Sequence, residues 1–275
     1  MRVFGFGRAL LGISVAGLAA LSLAYGNFAP IVERFPAFLP SPKVWEYGSG
    51  AILLAAGVGL FFARTAVVSV VIIGVYEAAW AVAGVRPAFL KPMDVGSWYG
   101  LCEALVSLMG AWTLYALLRR QGGAPAVTAM TGNRALHGAR VIIGAAFVEF
   151  GVAHFAYAAY TASMVPAWLP YRTGLVYLTG AAHAAAGLGL LFGALPRLAA
   201  TLEAVMLTLF GVLVWLPTFF SRPVPMWASQ AQVQWSETFL GFLLASSAWI
   251  VAASLRDTPW GFARIVRGKS AAPVI

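Results

Sequence analysis

The sequence is a succession of apolar blocks about twenty residues long, separated by short stretches where charge, proline and glycine collect. A helix needs a block of about that length to cross a hydrocarbon core roughly 30 Å thick. The breaks place eight such blocks, at roughly 9–28, 45–63, 66–85, 96–118, 140–160, 174–194, 198–217 and 235–255. Within them the apolar residues run on rather than alternate, which excludes a transmembrane β-barrel. The first block follows Arg2 and Arg8 and has the look of a signal sequence. No small-x-small cleavage site follows it, so it is predicted to remain as a span.

One stretch breaks the rhythm. Residues 119–139, RRQGGAPAVTAMTGNRALHGA, combine an Arg pair, Gly-Gly, Pro and polar residues, and read as a linker between two halves of four spans each. The halves resemble each other. Residues 36–62, PAFLPSPKVWEYGSGAILLAAGVGLFF, align without a gap to residues 166–192, PAWLPYRTGLVYLTGAAHAAAGLGLLF, with 13 of 27 positions identical. Further on, Gly74/Gly211, Trp98/Trp235 and Trp112/Trp249 agree at a second constant offset. An even number of spans per unit gives the two units the same orientation, related by a pseudo-twofold along the membrane normal. In each copy the Pro-Ala-aromatic-Leu-Pro run predicts a kinked interfacial turn. The next helix carries Ala51, Ala55 and Gly59, or Ala181, Ala185 and Gly189, a stripe of small residues that lets a neighbour approach closely.

These motifs resemble those of the DoxX-like membrane proteins. The second half carries the resemblance best, in His154–Phe155, Pro166–Trp168–Leu169–Pro170 and Tyr177–Leu178–Thr179–Gly180. The resemblance implies a four-helix membrane unit, here duplicated, and in some members a subunit of a quinone-reducing oxidoreductase. Two departures stand out. Where the family places an acid three positions after the Tyr-Leu-(Ser/Thr)-Gly glycine, this chain has His183 in the second half and Leu53 in the first, and the His-Phe pair of the first half reads Asn27–Phe28. The expected fold is therefore an all-α integral membrane protein, with eight transmembrane helices in two parallel-oriented four-helix bundles. The units are 1–118 and 140–255, joined by the linker 119–139 and followed by a basic tail, 256–275.

Composition supports this class and narrows the chemistry. Of 275 residues 61% are hydrophobic and 10% charged, against about 45–50% and about 25% in soluble domains. That excludes a soluble enzyme, a secreted scaffold and a disordered tail. The net charge of +9 lies in short loops and tails, where it meets lipid headgroups rather than nucleic acid. With the N-terminus inside, twelve Lys and Arg fall on the cytoplasmic side and six on the other. This puts both termini in the cytoplasm of a bacterial-type inner membrane. A single cysteine, Cys102, permits no internal disulfide, thiol pair or thiolate metal cluster, and no metal site is expected.

The informative residues are the few ionisable groups within the spans. Glu149, His154 and His183 fall at depths that allow them to converge, and a Glu–His hydrogen bond would fix an imidazole tautomer. Glu77 and Glu103 lie at comparable depth on consecutive helices and form a secondary candidate pair. Glu203 is assigned to the first turn of its helix, where a helix-dipole role suffices. Three readings of the first group stay open: a quinone headgroup site with a redox partner subunit, a protonatable site in a small-molecule or lipid transporter, and a purely structural tie in a membrane scaffold. Haem ligation by His154 and His183 is disfavoured by a depth mismatch of about 6 Å. Walker A, HExxH, GxSxG and Rossmann motifs are absent. The oligomeric state stays open.

Overall fold

The computed structural model describes residues 2–28, 41–122, 128–220 and 228–261, and all regular structure among them is helical. The helices are α1 (Arg2–Tyr25), α2 (Pro42–Gly59), α3 (Ala66–Leu90), α4 (Val95–Gln121), α5 (Thr128–Thr131), α6 (Asn133–Ala156), α7 (Ala158–Met164), α8 (Arg172–Phe192), α9 (Pro196–Phe210) and α10 (Ala231–Ser254). α9 continues through a π-helical turn, Gly211–Trp215, and a 3₁₀ turn, Leu216–Phe219. Seven of these helices are long and apolar enough to cross a membrane, the architecture of a multi-pass membrane protein. α2 falls outside the seven: its first two turns carry Lys43 and Glu46, and its apolar stretch is correspondingly short.

Several boundaries differ from those expected. α3 does not stop at residue 85 but passes through Pro87 to Leu90, since one proline near a helix end removes a single N–H and leaves the last turn intact. The expected linker 119–139 is mostly helical. α4 runs on to Gln121 with Arg119 and Arg120 in its last turn, where cations face the negative end of the helix dipole. Trp112 Nε1 donates to the Met130 carbonyl at 2.8 Å, and Arg120 Nε to the Thr131 carbonyl at 2.8 Å. These bonds seat α5 against α4, and α6 begins at Asn133 rather than 140. The tail begins docked: the Arg197 guanidinium sits 4.0 Å over the Trp260 ring and donates to the Thr258 carbonyl. The Pro36–Pro40 turn and residues 262–275 lie outside the described residues.

Neighbouring helices pack in sequence: α1 on α2, α2 on α3 and α3 on α4, then α6 on α8, α8 on α9 and α9 on α10. The halves interlock, because α10 packs along α1, α4 packs along α6, and α4 crosses α10. At that crossing a Cβ on Gly110 would overlap Ser247. The two residues are 137 apart, the same offset that relates Trp98 to Trp235. α2 and α8 bury residues at one spacing: Gly50, Leu53, Ala56 and Gly57 in the first, Gly180, His183, Ala186 and Gly187 in the second. A Cβ on Gly57 would lie 2.7 Å from the Ala16 amide nitrogen, and one on Gly187 2.6 Å from that of Val148. Close approach therefore runs through these glycines. Of the expected packing stripe, Ala51, Ala55, Ala181 and Ala185 are exposed, while Gly59 and Gly189 do allow close approach, to Ser69 of α3 and to Ala199 of α9. Ser41 and Tyr171, just before α2 and α8, both adopt left-handed backbone with φ of 53°.

Candidate functional site

Among the described residues two buried polar centres stand out, one within the second half and one where the helices of the first half meet α10. The first lies between α6, α8 and α9. His183 stands in the middle of the α8 face that packs on α6, 1% exposed, and its Nδ1–H donates to Glu203 Oε1 at 2.6 Å. Glu203 is also 1% exposed. It is the eighth residue of α9 and not in its first turn, so the helix-dipole reading gives way to a direct partnership with His183. The hairpin explains the encounter: α8 ends at Gly193, whose φ of 72° reverses the chain, and His183 and Glu203 lie at equal distance along the chain on either side of it.

His154 joins from α6. Its Nδ1 donates to the Phe150 carbonyl at 2.8 Å; a carbonyl only accepts, so the proton sits on Nδ1 and Nε2 is left to accept in the neutral ring. The His154 and His183 rings are 4.7 Å apart, so the expected depth mismatch is absent. Rings in direct contact leave no gap between them for a macrocycle. Phe210 stacks on His154 at 6.0 Å and Phe150 meets His183 edge-on at 5.9 Å. Phe210 is the last α-helical residue before the π turn, a backbone irregularity often found where a side chain is re-aimed.

Glu149 does not join the imidazoles. Five residues from His154, it points about 140° away around α6. Both its carboxyl oxygens are buried without a hydrogen-bond partner, and it lines a shallow cleft with Val95, Trp98 and Val152. The expected triad is thus replaced by His154, His183 and Glu203.

The second centre is a cavity of about 480 Å³ walled by α1, α2, α3, α4 and α10. Both secondary candidates, Glu77 and Glu103, line it, beside Tyr76, Trp80 and Ser107. Glu77 is 7% exposed and makes no hydrogen bond or ion pair among the described residues. Glu103 lies beside the Tyr99 hydroxyl, with Glu237, Glu149 and Glu77 as its titratable neighbours. Glu237, at the start of α10, was not singled out from sequence. Its signal was an acid in the second turn of an apolar block, which reads as an interfacial residue until α10 is packed on α1 and α4. Leu53, which stands in α2 where α8 has His183, lines this cavity. At its mouth Asp94 caps α4. The Ser97 hydroxyl foremost, and the Gly96 amide, hold its carboxyl below the usual aspartate range. The Tyr157 hydroxyl contacts the same cap from the second half, accepting from the Gly96 amide at 3.0 Å.

No curated protein and no solved structure matches the chain. Residues 143–252 match the model of a family described as a domain of unknown function (DUF8561), a stretch from α6 through α10 that holds the whole imidazole–carboxyl centre, so the second half of the chain is similar to that family.

Proposed function

We propose that this chain is an inner-membrane protein that binds a small organic molecule within the bilayer, as a carrier or binding protein, in the cavity lined by Glu77 and Glu103. One observation carries the reading: a space of about 480 Å³, within the range of small-molecule sites, is apolar on most sides and holds a carboxyl near mid-span. Acids kept inside a membrane at a cost of several kcal/mol mark substrate or proton pathways by default. In this reading α2 crosses as an eighth span, the halves are duplicated DoxX-like units, and both termini face the cytoplasm. The test is organic extraction and mass spectrometry of the purified protein and of Gly100→Phe. A Cβ at Gly100, on the cavity wall, would meet nothing within 4 Å, so the substitution starts from open space beside the cavity. A small molecule should co-purify with the parent and fall at least tenfold in the variant. Equal yields, or none from either, would overturn the reading.

A second reading, an accessory of quinone-linked redox metabolism, is favoured by a separate observation. Neutral His154 has an accepting Nε2 at the edge of the imidazole pair, beside the flat face of Phe210. Such a group can take the proton of a quinol hydroxyl, with His183 and Glu203 behind it. A photoreactive short-chain quinone should label α6 and α9 peptides and lose that labelling in His154→Leu. Labelling unaffected by the substitution would rule this reading out.

A further inference from the structure

We propose that the cavity binds an organic ammonium ion, an amine on an apolar or aromatic body. The proposal rests on the cavity reading above and names the ligand's chemistry.

The cavity wall is rich in acceptors. Glu77, more than nine-tenths buried, faces it without a hydrogen-bond or ion-pair partner. Glu103 adds a second carboxyl. A third acceptor follows from covalent chemistry: Pro87 has no N–H, so the Ala83 carbonyl lacks the donor that residue i+4 supplies elsewhere in a helix. Ala83 and Pro87, both exposed, line the same cavity as the two carboxyls, so a carbonyl short of its helical donor belongs to its wall.

Among the described residues no cation pairs with Glu77 or Glu103. The titratable neighbours of Glu103 are Glu237, Glu149, Tyr99 and Glu77, all acids or a phenol. Glu77 sits near the middle of α3, far from the Arg86 end. Three of the described basic side chains on the surrounding helices are engaged at the helix ends. Arg8 donates to the Leu60 carbonyl at 2.5 Å, Lys43 pairs with Glu46 at 2.9 Å, and Arg120 holds the Thr131 carbonyl. An ammonium ion supplies up to three donors and the missing positive charge together. A quinone carbonyl or an ester would bring only more acceptors.

The remaining wall suits the body of such a ligand. Trp80 is packed edge-on against Phe28 at 5.2 Å and Tyr76 at 6.0 Å, and Tyr76 and Trp80 line the cavity. Aromatic faces attract a cation most strongly where water is excluded. Carboxyls with aromatic rings around an apolar volume form a receptor for an amine with a hydrocarbon or aryl group.

The experiment measures binding of radiolabelled 2-phenylethylamine and its uncharged analogue 2-phenylethanol to the full chain in nanodiscs at pH 7. The amine should bind at least tenfold more tightly than the alcohol. Glu77→Gln should weaken the amine at least tenfold while changing the alcohol less than twofold. Trp80→Leu should weaken the amine by several-fold and serves if Glu77→Gln melts early. Equal binding of the two compounds, indifferent to both substitutions, would overturn the ammonium assignment and leave the cavity reading standing. If neither compound binds, the ammonium assignment also falls, and the extraction comparison with Gly100→Phe judges the cavity reading separately.

Discussion

At the scale of single residues, the buried centre of the second half depends on one hydrogen bond. His183 and Glu203 are both almost fully shielded, so removing the acceptor leaves an imidazole N–H with neither water nor protein to receive it. Glu203→Leu should lower stability by about 1–3 kcal/mol, while Glu203→Gln, whose amide oxygen can still accept, should recover most of the loss. Denaturant titration in detergent checks both, and a leucine variant as stable as the parent would show that the bond contributes nothing. The partnership was legible in part. The chain reverses at Gly193, and equal counting to either side leads from His183 to Glu203. What hid it was the helix start: with α9 beginning at Pro196, Glu203 is two turns in rather than one. Glu149 was the opposite case. Its depth was right and its face wrong, because depth along a span says nothing about direction around it.

Among elements, α2 and α8 show how far a pattern of small residues can be read. Glycines and alanines at regular spacing signalled close packing, and close packing is present. The line of contact, however, runs through Gly50 and Gly57, and through Gly180 and Gly187, one or two positions away from the exposed alanines. Both lines consist of small residues, so hydropathy alone does not choose between them. The choice is made by the bulkier residue between the glycines, Leu53 or His183, which needs an interior. Gly187→Ala places a methyl 2.5 Å from the Gly144 carbonyl oxygen, where only movement of α6 from α8 can make room. It should cost about 1–3 kcal/mol. Gly174→Ala, on the same helix with its nearest neighbour at an ordinary 3.7 Å, should instead be neutral or stabilise by about 0.5–1 kcal/mol. Thermal melts of the pair would separate a packing effect from a helix-propensity effect. If Gly187→Ala melts with the parent, the close approach is not a constraint on the fold.

Across the whole molecule, the crossing of α4 and α10 makes one body of two halves. Both polar centres border it: Glu103 and Tyr99 sit on α4, Glu237 sits on α10, and Tyr99 touches Phe150 at 5.1 Å, which in turn meets His183. With α2 as an eighth span, the N- and C-termini face the same side; without it they face opposite sides. Reporter fusions at both ends should therefore report the same compartment, and the short α3–α4 turn near Lys91 the other one. Termini on opposite sides would remove α2 from the count of spans.

The sequence by itself determined the class of molecule and the places where helices start and stop, within a turn or two. Apolar length is a local property, and a block of about twenty apolar residues has few ways to satisfy its backbone outside a membrane helix. It also singled out most of the ionisable groups held within the bundle, though not Glu46 or Glu237. Tertiary structure decided which of those groups meet. His183 meets Glu203 rather than Glu149, and Glu77 shares a cavity with Glu103, because side-chain encounter depends on the rotation of each helix about its axis. That rotation is set by which neighbours pack on it, and here the neighbours include helices from the other half of the chain.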